Sequence, residues 1–312
     1  MPTDDLQPDT KPSRLIEQMQ VDLPSLVIQE RESLKLMNGP FPERKNDFHD
    51  FSRVLDVACG AGSWAMEIAR ANPQLEVVGI AAQDALVTHA RERAEAAGLT
   101  NVRFLLAAGN ERPQLSFPAE TFDLVNTQYL HAWLQRDEWS DFVRDCWRVT
   151  RPGGYIRMTE PERGQATGAA FERIVDLYLQ ALHKNGQRFS PDERHIGAAN
   201  QLMYFCQEAG LTEITRCAYV TDLSKGGDLP EHYATLRLQL YAQTFQPLIL
   251  QAGLASAEEL NTLLQQASAE VESADFVAHR FLITVCGRKS DALSPGQNKE
   301  QRDREHLAGE RP

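Results

Sequence analysis

Between residues 53 and 159 short apolar runs alternate with longer stretches that carry apolar residues at helical spacing. Residues 53–58 (RVLDVA), 75–80 (LEVVGI), 102–106, 122–127 (FDLVNT) and 155–159 have the length and β-branched content of strands. The intervening helices are predicted at 63–71, stopped by Asn72-Pro73, at 82–97, ended by Gly98, and at 137–149, stopped before Arg151-Pro152-Gly153-Gly154. Strand and helix in this rhythm imply right-handed parallel crossovers, hence an α/β, doubly wound sheet.

After Glu160 the rhythm changes. Residues 166–184 and 195–209 read as amphipathic helices, and 230–275 as a long helical region. Residues 213–221 and 280–286 alternate like two further strands, so the sheet continues, with helical insertions at about 166–210 and 230–275 forming a cap. A helix is expected over 15–37, ahead of the first strand. Residues 1–12 and the charged segment 288–312 are expected to be disordered, leaving one domain over 13–287.

Composition narrows the function classes. With 32 Lys and Arg against 44 Asp and Glu, the net charge of −12 argues against a nucleic-acid binder or a polybasic membrane-surface protein. No apolar run approaches the length of a membrane span, and residues 1–10 lack the pattern of a secretion signal. The five cysteines, none in CxxC spacing, read as reduced thiols and point to the cytoplasm. The histidines His183, His195 and His232 lack metal-ligand spacing, so no metal is expected.

Chemistry concentrates in Val54-Leu55-Asp56-Val57-Ala58-Cys59-Gly60-Ala61-Gly62, a strand running into a Gly-x-Gly turn that opens a helix. Glycines there let the backbone approach a ligand closely, and Asp56 suits either holding the turn or meeting a cationic ligand end. Taken alone, Gly60, Gly62 and Ala65 also meet the relaxed dinucleotide fingerprint. The wider context resembles class I S-adenosylmethionine (SAM) dependent methyltransferases, whose first strand has the form hhDhxCGxG. Residues 122–125 resemble the family's fourth strand, Leu130-His131 the Leu-His step after it in small-molecule members, and 149–154 the turn before strand five. The resemblance covers 54–160 and implies a Rossmann-like sheet of seven strands, mostly parallel with the last antiparallel.

The resemblance also implies roles. Asp56, Ala58, Gly60 and Gly62 would wrap the methionine and ribose of SAM, and Asn126 would face the methionine. The family's ribose-binding acidic residue at the tip of strand two aligns with Ala81, a departure that Gln83 or Asp84 could partly offset. Losing such a carboxylate costs roughly 1.5–3 kcal/mol. Glu111 would reach the adenine only through a short insertion. His131 is the candidate general base, or alternatively a framework histidine bonded to backbone. In relatives a helix such as 15–37 closes over the cofactor; here it either does so or packs on the sheet. The apolar stretch 233–251 would be a lid over the acceptor or the face of a homodimer. The expected activity is methyl transfer to a small, fairly apolar molecule. Ala81 keeps two others open, a different reaction on the same fold and a non-catalytic binding protein.

Overall fold

A computed structural model describes residues 22–107, 115–192, 194–224, 229 and 233–291, with the side chains of 240–243 outside the description. Seven strands form one sheet in the order β3-β2-β1-β4-β5-β7-β6. They are β1 (Arg53–Val57), β2 (Glu76–Ala81), β3 (Val102–Leu106), β4 (Phe122–Gln128), β5 (Thr150–Ala166), β6 (Leu211–Asp222) and β7 (Ala278–Lys289). The pairs from β3 through β5 are parallel, whereas β7 runs antiparallel to both β5 and β6. This is the expected Rossmann-like sheet. Strand order reverses beside β1, where α/β folds bind ligands at the carboxyl ends of the strands.

Alternate residues of each strand serve opposite faces. Leu55, Val57, Val125, Ile156 and Met158 enter one core. Val54, Val77 and Leu124 enter the other, with Trp64, Ile68 and Phe104. The second face is covered by α2 (Ser63–Ala71), α3 (Asp84–Ala96) and an aromatic cluster of Phe41, Phe48, Phe51 and Tyr155. On the first face lie α4 (Trp139–Val149), α5 (Ala169–Lys184), α6 (Ala198–Glu208), α7 (Tyr233–Gln251) and α8 (Ala257–Glu272). Helices α5, α7 and α8 pack on one another, and α1 (Leu23–Leu36) reaches α7.

Several boundaries depart from expectation for tertiary reasons. Strand β5 is 17 residues long because antiparallel β7 pairs with it as far as Ala166. The 230–275 region is two helices, broken by Gly253 at φ +62° and restarted by a Ser256–Glu259 capping box. Residues 288–291 belong to the fold rather than to a tail: Lys289 Nζ donates to the carbonyls of Trp147 and Thr150 at 3.0 and 2.8 Å. Residues 1–21 and 292–312, and with them most of both expected disordered ends, lie outside the described residues. No helix among the described residues is long and apolar enough to cross a membrane.

Candidate active site

At the carboxyl end of β1 the chain turns sharply. Ala58 (φ +58°), Gly60 (φ +58°) and Gly62 (φ +82°) all take the left-handed conformation, which costs an alanine about 1–2 kcal/mol and a glycine almost nothing. Glycine at 60 is also required by space. A Cβ there would strike Glu30 Oε1, because Glu30 of α1 lies across the loop. Its carboxylate accepts from the amides of Ala61 (2.7 Å) and Ser63 (3.1 Å), the free N–H groups at the start of α2. Gly62 serves packing instead: a Cβ would strike the Phe104 ring at 2.7 Å, and the residue does not line the cavity.

Asp56 is 2% exposed and faces the cavity floor. Lateral register explains its surroundings, since Asp56 pairs with Asn126 on β4 and Asn126 pairs with Arg157 on β5. Asn126 Nδ2 donates to Asp56 Oδ1 at 2.8 Å, and Arg157 Nη1 donates to Asn126 Oδ1 at 3.0 Å. Asn126 therefore does not line the cavity as the resemblance implied; it holds Asp56 from behind. Asp56 Oδ2 has no hydrogen-bond partner among the described residues. Burial pushes the Asp56 carboxyl up to about 8, and the nearby Glu30 carboxylate adds to this against the opposing pull of Asn126 and Arg157. Burial likewise raises Glu30, offset in part by its bonds to Ser63 and Ala61 and by Arg93. Both carboxyls lie on the lining of one cavity.

The shift sets a pH dependence of stability. An unfolded aspartate ionises near 3.8, whereas folded Asp56 keeps its proton until about 8. Between those values the folded state binds more protons, so this group's contribution is full at low pH and is lost as pH rises toward 8. Asp56→Asn is expected to remove that decline, unfolding in urea with a smaller fall in midpoint between about pH 5 and pH 8 than the parent. Parallel profiles for the two proteins would contradict the assignment.

Along the cavity from Asp56, Ala58, Cys59 and Gly60 lead to Ala81, Ala82, Gln83 and Leu86. Ala81 closes β2, 1% exposed, with its carbonyl accepting from Ala107 N at 2.8 Å. Gln83 caps α3 and lines the same wall. The candidate Glu111 lies outside the described residues.

The other end of the cavity is built by the turn after β4. Tyr129 is left-handed (φ +58°), and the 3-10 turn Leu130–Ala132 follows. Glu160 on β5, fully buried, accepts from the amides of Leu130 (2.6 Å) and His131 (3.2 Å). Glu160 Oε2 also lies 2.8 Å from His131 Nδ1, and His131 Nε2 lies 2.9 Å from the hydroxyl of Tyr178 on α5. Arg280 on β7 donates to the Tyr129 hydroxyl and stacks over its ring at 5.2 Å. Arg237 of α7 joins the wall, and Leu26, Leu34, Pro161, Ile196 and Phe245 supply apolar surface.

The structure thus brings together Asp56, Ala58, Gly60, Ala81, Gln83 and His131 around one cavity and excludes Gly62 and Asn126 from its lining. Of the two insertions, α5 and α7 contribute to the wall, whereas α6 packs on β5, β6, β7 and α4 and α8 packs on α5 and α7. Sequence reasoning missed Glu30, Glu160, Tyr178, Arg237 and Arg280. Only Glu160, directly after the expected strand 155–159, carried a local signal.

Residues 54–154 match the family model described as a methyltransferase domain. The demethylmenaquinone methyltransferase of Geobacillus kaustophilus is 27% identical over 181 residues, 55% of this chain and 75% of that protein. The demethylmenaquinone methyltransferase of Deinococcus radiodurans is 31% identical over 134 residues; the match takes 42% of this chain and spans about half of that relative, 52%. The YcgJ protein of Bacillus subtilis shares the fold at a TM-score of 0.51 and 16% identity, over 84% of this chain and 100% of that one. The turn geometry and the matched segment agree: residues 54–154 are similar to a methyltransferase domain, carried on a Rossmann-like sheet.

Proposed function

We propose that this protein transfers a methyl group from SAM to a small, largely apolar acceptor held between the β4 turn and helices α5 and α7. The observation that carries the reading is the buried Asp56 carboxyl on the cavity lining, one oxygen without a hydrogen-bond partner among the described residues, with Glu30 and apolar surface on the same lining. Those residues fit the cofactor. Asp56 and Glu30 suit its cationic methionine end, and Gln83 and Leu86, further along the same lining, would hold the adenosine end. SAM, when bound, supplies an electrophilic methyl on a sulfonium.

The chain's own residues have two tasks. Asp56, fixed by Asn126 and Arg157, orients the donor; the apolar wall strips water from the acceptor and aligns it for in-line attack. His131, braced by Glu160, is placed to take up a proton when the acceptor carries one. The names of the relatives support an acceptor of this apolar kind.

Titration with SAM and with S-adenosylhomocysteine by calorimetry tests the reading. Micromolar binding is expected, together with release of about one proton per SAM near pH 7, since a cation in the site ionises the carboxyl that otherwise titrates at about 8. Running the titration in buffers of different ionisation enthalpy counts the protons. No binding at millimolar ligand ends the proposal.

A further inference from the structure

Both nitrogens of His131 are occupied: Nδ1 faces Glu160 at 2.8 Å and Nε2 faces the Tyr178 hydroxyl at 2.9 Å. Tyr178 lines the cavity beside His131, so an imidazole held this way would reach a cavity ligand through the tyrosine. We propose that Tyr178 is the residue that takes the acceptor's proton, passing its own to His131, and that the acceptor is therefore an apolar molecule bearing an acidic hydroxyl, a phenol or enol. The inference rests on the methyl-transfer reading above and names the acceptor class and a catalytic residue for it.

Three observations bear on it. The relay is buried throughout, with Glu160 0%, Tyr178 2% and His131 4% exposed, so a proton moved along it stays out of bulk water. Its members come from separate elements, β5, the β4 turn and α5, yet meet at hydrogen-bond distance. Carboxylate behind imidazole fixes the tautomer: with Nδ1–H donated to Glu160, neutral Nε2 accepts from the phenol. An amine acceptor attacks as a neutral lone pair and sheds its proton afterwards, so a buried relay of this kind serves a hydroxyl.

The field at the same wall favours an anion. Tyr129, whose ring lies 6.3 Å from that of His131, reports it. Burial pushes the Tyr129 phenol up, but Arg280, Arg237 and the Ser33 hydrogen bond pull it below the usual tyrosine range. An acceptor hydroxyl at this wall meets the same two guanidiniums.

The step balances. The acceptor O–H proton passes to Tyr178 Oη as the Tyr178 proton passes to His131 Nε2, leaving a neutral tyrosine and an imidazolium held by Glu160. The electron pair released on the acceptor forms the new bond to methyl, either from oxygen or from a conjugated ring carbon. The C–S pair remains on sulfur, and S-adenosylhomocysteine leaves.

The test uses 4-nitrophenol, whose neutral and ionised forms absorb differently, added to full-length protein saturated with S-adenosylhomocysteine at a pH just below the probe's own pKa. Bound probe is expected to be more ionised than free probe. In Tyr178→Phe its apparent pKa should rise by about one unit, a fall of about tenfold in the ratio of ionised to neutral probe. His131→Asn should do the same, and the double variant should be no worse than either single one. Circular dichroism and S-adenosylhomocysteine affinity, read on the same samples, show that the site is intact. An unchanged nitrophenolate band in Tyr178→Phe overturns the relay, as does failure of the probe to bind while S-adenosylhomocysteine does. Failure of S-adenosylhomocysteine itself to bind the parent protein would instead overturn the methyltransferase reading.

Discussion

Arg157→Ala is expected to lower unfolding stability by about 3–5 kcal/mol, the cost of removing one member of a buried ion pair. The guanidinium is fully buried at the centre of the sheet, and its Nε donates to Glu43 Oε2 at 3.0 Å. Glu43 is itself only 6% exposed, and its other oxygen has no partner among the described residues. Without Arg157 that carboxylate would stay buried with nothing opposite it, and Asn126 Oδ1 would lose its donor. Replacing both partners by apolar residues, Arg157→Met with Glu43→Leu, should recover most of the loss, because the pair's attraction mainly offsets its own desolvation. Urea unfolding of the parent, both single variants and the double variant completes the cycle. A single variant within about 1 kcal/mol of the parent would mean the pair behaves like a surface bridge.

The same change should reach the cofactor end. Arg157 fixes which way the Asn126 amide points, and the amide in turn donates to Asp56. A freed amide can turn its oxygen toward the carboxylate, and the favourable field of Arg157 on Asp56 is gone as well. SAM binding by Arg157→Ala should therefore weaken and shift to higher pH, even in the fraction that stays folded.

This network shows where the sequence was readable and where it was not. The strand–turn–helix of residues 54–62 is local, so its apolar run, its Asp and its glycines announce both an element and a site. Asn126 was visible as a site residue, but its role depends on the register of β4 between β1 and β5, which no local pattern encodes. The length of β5 depends on a strand more than a hundred residues further on. Nothing in the sequence singles out Glu30 among the charges of its helix, yet that helix crosses the glycine loop and sets the carboxylate against the amides of Ala61 and Ser63. Tyr178 lay in an amphipathic pattern that read as part of a cap, with nothing to mark it out; it packs in the core, lines the cavity and sets its hydroxyl against His131. Residues on an element's own periodicity were legible; those given their task by a neighbour brought in from elsewhere were not.

Ala81→Asp is expected to tighten SAM binding by about tenfold to a hundredfold, from the roughly 1.5–3 kcal/mol of charge-assisted hydrogen bonds a carboxylate can make to a ribose diol. The backbone is already in place. Ala81 ends β2 on the cavity wall, and the bond from Ala107 N to its carbonyl holds the strand tip. The ligand-free variant should be less stable than the parent, because a position 1% exposed would now hold a carboxyl without its diol. Higher affinity alongside lower free-state stability separates a ribose contact from general tightening of the fold. Ala81→Asn should give a smaller gain, since an amide offers one acceptor and no charge. Gln83 lines the same wall, so if it performs part of the carboxylate's task, Gln83→Ala should weaken SAM binding in the parent and much less so in Ala81→Asp. Calorimetry on the four proteins reads the coupling directly. Unchanged or weaker binding by Ala81→Asp would mean that the ribose does not lie at the tip of β2, and the resemblance would then locate the glycine loop correctly but misplace the nucleoside.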